Sequence, residues 1–246
     1  MDSGYYAACT ALKAQSNALE LVANNVANVN TTGYRGQIPS FESLLVESHP
    51  SAPTNGWSQL INQFATLNGT RLDLAQGNLE RTGNPMDLAL EGPGFFSIQT
   101  KAGTLYARSG NFQISASGQL TTSSGDPVLG TGGLITLPLN AQASISADGT
   151  ISVAGAVAGK LKLVEFEPGR QVAAVGGSYY SASARNAGPA VHTIVRQGML
   201  EFSNVNPVMA VVSLIAAQRQ AEMAGRAMNA FYSGFDRIAA DELPKV

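Results

Sequence analysis

Apolar side chains recur at alternating steps of four and three residues in the C-terminal part of the chain. The run comprises Ala210, Leu214, Ala217, Ala221, Ala224, Met228, Phe231, Phe235 and Ile238. This spacing is the a/d pattern of a helix that packs along one stripe. Asn206 predicts an N-cap, and Pro207 suits the first helical position, where its missing N–H costs nothing. The predicted helix reaches about Ala240 and is roughly 50 Å long at 1.5 Å per residue, so it needs a packing partner.

A second stripe with the same spacing lies near the N-terminal end. It comprises Tyr5, Ala8, Leu12, Gln15, Leu19, Val22, Val26 and Val29. Asp2 or Ser3 can cap the start of this helix, and Thr32-Gly33 can end it. Pairing the two helices would bring the chain ends together and leave the residues between them as an insertion.

Each predicted helix also carries apolar residues away from its main stripe. They are Leu21 on the first helix and Val208, Val212, Ile215 and Met223 on the second. Either these residues face the middle of the chain, or neighbouring subunits cover them. The second interpretation is favoured because the middle of the chain has the pattern of a self-contained domain.

The hydrophobic period changes to two between Arg71 and about Gly198, where turn residues recur roughly every eight to twelve positions, as in all-β domains. Leu161 to Phe166 is the most strand-like run. Ala116-Ser117-Gly118 and Asp148-Gly149 predict hairpin turns. The glycine- and serine-rich residues 176–189 predict an irregular surface connection.

Together these patterns predict an α+β fold. Its two terminal helices form a coiled-coil-like split helical domain that carries an inserted all-β domain. The predicted domains are residues 1–36 with 204–246 for the helices, 37–70 for a linker or docking segment, and 71–203 for the β-rich middle. Within the linker, His49 to Gly56 predicts an exposed loop.

Composition narrows the possible partners. The chain has 15 basic and 17 acidic residues and a net charge of −2, with no cluster of lysine and arginine. Neither a nucleic acid nor an anionic membrane is therefore expected as a partner. No apolar run approaches the ~20 residues of a membrane helix, so no membrane insertion is predicted. The first residues lack the basic and apolar regions of a cleavable signal peptide.

Candidate catalytic and metal-binding residues are few. Cys9 lies in an apolar helical run, which favours a packed small residue over a nucleophile. His49 and His192 have no second ligand at metal-binding spacing, so no metal or cofactor is predicted. Asp87 and Glu91 fall on one face of a predicted strand and could form a carboxylate pair, although solvated acidic residues are commoner there. An enzyme is not expected.

Many short motifs follow one another in order along the chain. They are Gly77-Asn78-Leu79, Pro85 to Leu90, Gly94-Phe95-Phe96, Tyr106 to Phe112, Gly118-Gln119-Leu120, Pro127 to Gly130 and Ile145 to Ser152, flanked by Ala23 to Arg35 and by Gly198 to Glu201, Ser203 to Pro207 and Ala217-Gln218-Arg219. Over nearly the whole chain they resemble the bacterial flagellar basal-body rod and hook family, of FlgF/FlgG type. Met1-Asp2, the moderate length and Gly159 to Val164 are more similar to the proximal than to the distal rod subtype.

Two positions depart from the family pattern. Met209-Ala210 follow Val208 where acidic residues are usual, so a capping box is absent. Tyr34-Arg35 stand where Phe-Lys is common, which keeps an aromatic ring and a positive charge.

The resemblance implies a structural, non-enzymatic subunit that serves motility. Such proteins pass through the flagellar type III export apparatus without a cleavable signal peptide and self-assemble in the periplasm. Copies of the protein and other rod proteins would stack into a tube, with the terminal helices as its inner wall. Two alternatives stay open: a distal rod or hook subunit, or a secreted carbohydrate-active β-domain that uses Asp87 and Glu91.

Subunit contacts are predicted along both terminal helices. The amides of the three asparagines near the end of the first helix lie outside the stripe, where they could bond between subunits or be solvated. The predicted subunit-interaction residues are Leu12, Leu19, Val22, Asn24, Asn25, Val26, Asn28, Val29, Asn206, Leu214, Ile215, Ala221, Met228, Phe231 and Phe235.

Overall fold

The computed structural model describes residues 2–42, 66–139, 142–166 and 172–242. Two α-helices flank the strands of this described part, α1 over Asp2–Ala27 and α2 over Pro207–Glu242. The strands are β1 Gln37–Glu42, β2 Thr66–Leu72, β3 Leu79–Arg81, β4 Leu88–Glu91, β5 Phe95–Thr100, β6 Gly103–Ala107, β7 Phe112–Ile114, β8 Leu120–Thr122, β9 Leu129–Gly130, β10 Gly133–Leu134, β11 Ala143–Ile145, β12 Thr150–Val153, β13 Ala156–Lys160, β14 Leu163–Phe166, β15 Val172–Gly176, β16 Tyr179–Ala182, β17 Ala187–Pro189, β18 Ile194–Gln197 and β19 Met199–Glu201. A short 3₁₀ helix covers Ala184–Asn186.

The start of α2 follows the sequence prediction. Asn206 Oδ1 accepts a hydrogen bond from the N–H of Met209 at 3.1 Å. The carbonyl of Asn206 accepts one from the N–H of Ala210 at 2.9 Å. The first bond satisfies one of the N–H groups that a helix start leaves unpaired, and the second is the first regular hydrogen bond of the helix. Pro207 occupies the first helical position, as predicted.

The chain forms two compact units. The terminal unit comprises Met1–Val26, Gln37–Arg71 and Asn206–Val246. The β-rich unit comprises Ala27–Gly36 and Leu72–Val205. The chain thus enters the β-rich unit for ten residues after α1, leaves it, and returns to it at Leu72.

The terminal unit contains strands as well as helices. Its β1 pairs with β2 in a two-stranded sheet. Helices α1 and α2 meet where Cys9 Sγ lies 4.0 Å from Met228 Sδ. Polarisable sulfur atoms suit such irregular apolar contacts.

A six-stranded antiparallel sheet, in the order β15-β16-β6-β5-β14-β17, organises the β-rich unit. Successive side chains of a strand point to opposite faces. Phe96 and Ile98 therefore join one hydrophobic core, whereas Phe95 and Tyr106 join another. Because the sheet is covered on both faces, the adjacent Phe95 and Phe96 are both buried.

Both predicted hairpin turns are present. Asp148-Gly149 lies between β11 and β12, and Ala116-Ser117-Gly118 lies between β7 and β8. Gly149 and Gly118 have φ angles of 82° and 78°, in the left-handed region that glycine adopts without steric cost.

Residues 176–189 are not the irregular connection that their composition predicted. Strand β16 lies next to β6 inside the six-stranded sheet, and β17 forms an edge of that sheet. Tyr180, on β16, is only 1% exposed. Strand β16 pairs with β6, whose residues lie more than seventy positions earlier, so that Tyr180 stands opposite Tyr106. Local composition does not report such a partner.

The predicted fold class is wrong. Strands account for more of the described residues than the two helices do, and neither a coiled coil nor an inserted all-β domain is evident in the described residues. Among the residues of α1 whose side chains the structure describes, Ala14 and Ala18 are buried and lie off the predicted stripe, whereas Leu12 and Leu19 on that stripe are only half-buried. Small side chains, rather than the larger knobs of a coiled coil, thus occupy the most buried of these described positions.

The β-structure is also not one continuous insertion. Strand β1 and nearly all of β2 belong to the terminal unit, and Ala27–Gly36 belongs to the β-rich unit. Part of the predicted linker, residues 43–65 with the loop from His49 to Gly56, lies outside the described residues. The domain boundaries proposed from the sequence stay a prediction.

Replacing Gly110 with alanine is expected to destabilise the β-rich unit strongly. A Cβ there would lie 1.8 Å from the carbonyl oxygen of the buried Leu88, so the backbone must move. We expect the free energy of unfolding to fall by about 3 kcal/mol or more, measured by urea denaturation followed by circular dichroism. Gly132→Ala is the matched control, because a Cβ there meets nothing within 4 Å. Equal denaturation midpoints for the two variants would contradict this account of Gly110.

Candidate functional site

Three charged side chains meet inside the β-rich unit. Glu201, at the end of β19, lies with Oε1 2.7 Å from Nη2 of Arg35 and with Oε2 3.0 Å from Nη1 of Arg108. All three side chains are at most 1% exposed. Glu201 Oε1 also accepts a hydrogen bond from the N–H of Gly77 at 2.8 Å. Removing these charges from water costs several kcal/mol per ion, so each must be matched by close partners.

The buried charge of Arg108 has further partners besides the carboxylate of Glu201. It donates hydrogen bonds to the carbonyls of Leu90, at 3.2 Å, and of Gly92. Its guanidinium carbon lies 4.9 Å from the centre of the Phe95 ring, in a cation–π contact. Burial lowers the pKa of Arg108 to about 10, against the opposing effect of Glu201. The side chain therefore stays charged at neutral pH.

The cluster joins parts of the chain that are far apart in sequence. Arg35 lies beyond the end of α1, Arg108 follows β6, and Glu201 lies shortly before α2. Each belongs to one of the ordered motifs found in the sequence. Both ends of the β-rich unit are thus held at one buried carboxylate.

A second feature lies on the surface of α2. In the part of α2 whose side chains the structure describes, the inner face is buried or half-buried and consists of Ala210, Leu214, Ala217, Ala221, Ala224 and Met228. The apolar residues of the outer face, with side chains 46–70% exposed, are Val208, Met209, Val211, Val212, Ile215 and Met223. At about 100° per residue, the centres of the two faces lie about 180° apart around the helix axis.

The outer face of α2 is uncharged over its first three turns. No acidic or basic residue occurs from Pro207 to Gln218. Exposed apolar side chains that are contiguous, rather than scattered, mark interaction sites on soluble proteins. The outer face of α2 is therefore the strongest candidate interaction surface in the described part of the chain.

The predicted interaction residues fall into several environments. Among those of α1 and the turn after it, Asn24 is exposed and the rest are half-buried. On α2, Leu214, Ala221 and Met228 lie on the inner face and Ile215 on the outer face. The side chains of Phe231 and Phe235 lie outside the described part. That these residues contact neighbouring subunits stays a prediction.

The side-chain amides of Asn25 and Asn28 bond within the chain. Asn25 Oδ1 accepts a hydrogen bond from the N–H of Gln37, and its Nδ2 donates one to the carbonyl of Gln37, both at 2.8 Å. Asn28 Oδ1 accepts a hydrogen bond from the hydroxyl of Thr31 at 3.1 Å. The amide of Asn25 therefore fixes the first residue of β1 against α1, a role that sequence reasoning missed.

Asp87 and Glu91 do not act as a pair. Asp87 is 8% exposed and accepts a hydrogen bond from the Asn84 amide at 3.0 Å. Glu91 is exposed and accepts one from Arg196 at 2.8 Å. Neither residue lines the clefts found in the described part of the chain. The carbohydrate-active alternative therefore lacks the paired carboxylates that it requires.

The other candidate residues occupy ordinary positions. Cys9 is half-buried against Met228, and His192 is exposed between β17 and β18. In the described ranges, no three His, Cys, Asp or Glu side chains are grouped so that they could hold a metal ion. Within the same ranges, neither helix is long and apolar enough to cross a membrane.

Glu201, Arg108 and Tyr180 were not singled out from the sequence, although a weak signal exists. Arg108 directly follows β6, and Glu201 is the last residue of β19 after Met199 and Leu200. A charge next to such strand residues is unusual and needs a partner. The signal does not say which charges meet. Their pairing follows only from the long-range order of the strands.

Three family models match the chain. The model described as flagella basal body rod protein matches residues 6–35. The flagellar hook protein FlgE/F/G D1 domain matches residues 89–153, and the flagellar basal body rod FlgEFG protein C-terminal model matches residues 196–237. Each matched segment contributes one of the three buried charges, Arg35, Arg108 and Glu201.

Curated relatives match over nearly their full length. The flagellar basal-body rod protein FlgF of Mesorhizobium japonicum is 35% identical over 241 residues, which cover 96% of each chain. FlgF of Caulobacter vibrioides is 32% identical over 252 aligned residues and 100% of both chains. The rod protein FlgG of Agrobacterium fabrum is 33% identical and covers 88% of this chain and 90% of its own.

The chain therefore belongs to the flagellar basal-body rod protein family of FlgF/FlgG type.

Replacing Glu201 with glutamine is expected to destabilise the protein by about 3–5 kcal/mol, because it leaves two buried guanidinium groups without a counter-charge. Urea denaturation at pH 7 measures the loss. Glu91→Gln is the matched control, since its ion pair with Arg196 is half-exposed and contributes less than about 1 kcal/mol. If both variants unfold at the wild-type urea concentration, the buried cluster does not stabilise the fold.

Proposed function

We propose that this chain, a structural subunit of the flagellar basal-body rod, assembles by packing its terminal helices against those of neighbouring subunits. The observation that carries the proposal is the two-sided apolar character of α2. A helix that is apolar on opposite faces is stable in water only when both faces are covered. Its own chain covers the inner face and leaves the outer face for a neighbour.

The free energies of side-chain burial and of association favour an array over an isolated pair of subunits. Fully burying a large aliphatic side chain contributes about 1.5–3 kcal/mol, and the outer-face residues are already partly covered. Six such residues therefore offer on the order of 6 kcal/mol. Association itself costs about 4–15 kcal/mol in lost translational and rotational freedom. One such contact is close to break-even, and several neighbours per subunit make assembly favourable.

The partners in this proposal are copies of the chain and other rod proteins. Contacts that repeat head to tail without closing into a ring build helical assemblies, as a rod requires. The location proposed is the periplasmic part of the basal body, reached through the flagellar type III export apparatus without a cleavable signal peptide. Membership of the rod family supports both statements, and it supports a role without catalysis.

A proximal position in the rod is proposed over a distal one. The two FlgF relatives described above cover 96% and 100% of this chain, whereas the FlgG relative covers 88%. A distal position is the alternative within the same class. A hook subunit and a carbohydrate-active domain are not favoured.

Replacing Ile215 with glutamate tests the proposed packing surface. A charge in the outer face should block subunit packing while leaving the monomer stable to within about 0.5 kcal/mol, because the side chain is 48% exposed. In a strain that lacks the gene, the variant should be exported at the wild-type level and fail to restore swimming. Swimming zones in soft agar and immunoblots of purified basal bodies measure the two effects.

Ser213→Glu is the matched control, because Ser213 is exposed on the same turns of α2 but lies outside the outer face. It should restore swimming. Wild-type motility with Ile215→Glu would overturn the packing proposal. Normal flagella in the strain that lacks the gene would overturn the assignment as a rod subunit.

A further inference from the structure

Residues 32–36 are held in the β-rich unit in the way that a protein holds a bound peptide. Residues 31–36 contain no helix or strand. The N–H groups of Thr31 and Tyr34 form local turn bonds to the carbonyls of Asn28 and Thr31, whereas Thr32, Gly33, Arg35 and Gly36 form backbone hydrogen bonds to parts of the chain more than 30 positions away. Such a segment is positioned by its receptor and not by its own secondary structure.

Tyrosine and serine side chains recognise the first half of the segment. Ser178 Oγ donates a hydrogen bond to the carbonyl of Thr32 at 3.0 Å. Tyr180 OH donates to the carbonyl of Gly33 at 3.0 Å and accepts from the N–H of Arg35 at 2.8 Å. One buried phenol group thus forms hydrogen bonds with two backbone groups of the segment. A tyrosine phenol is protonated at neutral pH and can therefore donate, and burial raises the pKa of Tyr180 further.

Backbone groups and one asparagine complete the recognition. The N–H of Gly33 donates to the carbonyl of Glu201 at 2.7 Å. Asn204 Oδ1 accepts from the N–H of Gly36 at 2.8 Å, and the carbonyl of Gly36 accepts from the N–H of Asp73 at 2.8 Å. Both ends of the segment are therefore fixed.

Side chains give the site its sequence preference. Arg35 enters a closed socket and places its guanidinium 2.7 Å from the Glu201 carboxylate, and Tyr34 is 3% exposed. Gly33 has φ 68°, and a Cβ there would lie 2.1 Å from the backbone nitrogen of Ser109. Only glycine fits the first position, and only a long cation satisfies the buried carboxylate at the third.

We propose that the β-rich unit carries a binding site for an extended Gly-Tyr-Arg-Gly peptide, filled in this structure by the chain's own residues 33–36. The ligand class is an extended segment with a glycine in the left-handed conformation, a buried aromatic ring and a buried arginine. Any chain that presents such a segment fits the site, and a second copy of this protein is the first example.

The covalent link explains why the site holds its own segment. A tethered ligand has an effective concentration in the millimolar range, so a free peptide at micromolar concentration does not displace it. Weakening the tethered segment exposes the site to an outside ligand. Arg35→Ala does this, because it removes the side chain that fills the socket and leaves the receptor residues unchanged.

The test uses the full-length Arg35→Ala protein and a fluorescein-labelled peptide of residues 27–36, with binding followed by fluorescence anisotropy. The wild-type peptide should bind, and a peptide with Arg35→Gln should bind at least tenfold more weakly. The full-length wild-type protein should bind neither peptide at the same concentrations. Absence of binding to a folded Arg35→Ala protein, or equal affinity for both peptides, would overturn the proposal.

Hydrogen exchange on the wild-type protein decides the matter if Arg35→Ala does not fold. A docked segment should open locally, before the rest of the unit unfolds. The amides of Gly33, Arg35 and Gly36 should therefore exchange at least tenfold faster than that of Ile98 in the six-stranded sheet. Exchange of all four amides at one common rate would show that the segment is an inseparable part of the fold, and would overturn the proposal.

Discussion

Burying Glu201 between Arg35 and Arg108 constrains how the β-rich unit is put together. A carboxylate with no exposed surface needs both arginines within hydrogen-bonding distance, and those arginines need the carboxylate. The residues after α1, the residue after β6 and the last strand before α2 therefore meet at this carboxylate. Two glycines, Gly33 and Gly110, allow the backbones to approach closely enough for this. The family models match the chain in the three segments that supply these charges.

Helix α2 differs from the β-rich unit in how its apolar side chains are covered. The inner face of α2 is covered within the chain, and its outer face presents five exposed apolar side chains between Pro207 and Gln218, where no residue is charged. The β-rich unit pairs its buried charges internally, whereas α2 exposes an apolar face. Packing against a neighbouring subunit, as proposed above, would cover that face.

Local features of the fold could be predicted from the sequence. The N-cap of α2, the hairpins at Asp148-Gly149 and Ala116 to Gly118, and the inner stripe of α2 depend on residues close together in the chain. The coiled-coil prediction failed because a/d spacing does not reveal that Ala14 and Ala18, which lie off the stripe, are more buried than Leu12 and Leu19 on it.

The contacts of Tyr180 and of the Arg35–Glu201–Arg108 cluster could not be predicted, because they join residues that are far apart in the sequence. Arg35 and Glu201, for example, are 166 positions apart. The family could be predicted, since the order of its motifs can be recognised in the sequence without knowing which residues are in contact.

A double-mutant cycle between Arg35 and Glu201 tests the central claim most directly. Free energies of unfolding for Arg35→Gln, Glu201→Gln and the double variant yield the coupling between the two side chains. A shared buried charge predicts a coupling of about 2 kcal/mol or more, so the double variant should be far more stable than the sum of the single losses implies. Additivity to within about 0.5 kcal/mol would contradict the account, because it would mean that the two ends of the β-rich unit are not fastened to each other at Glu201.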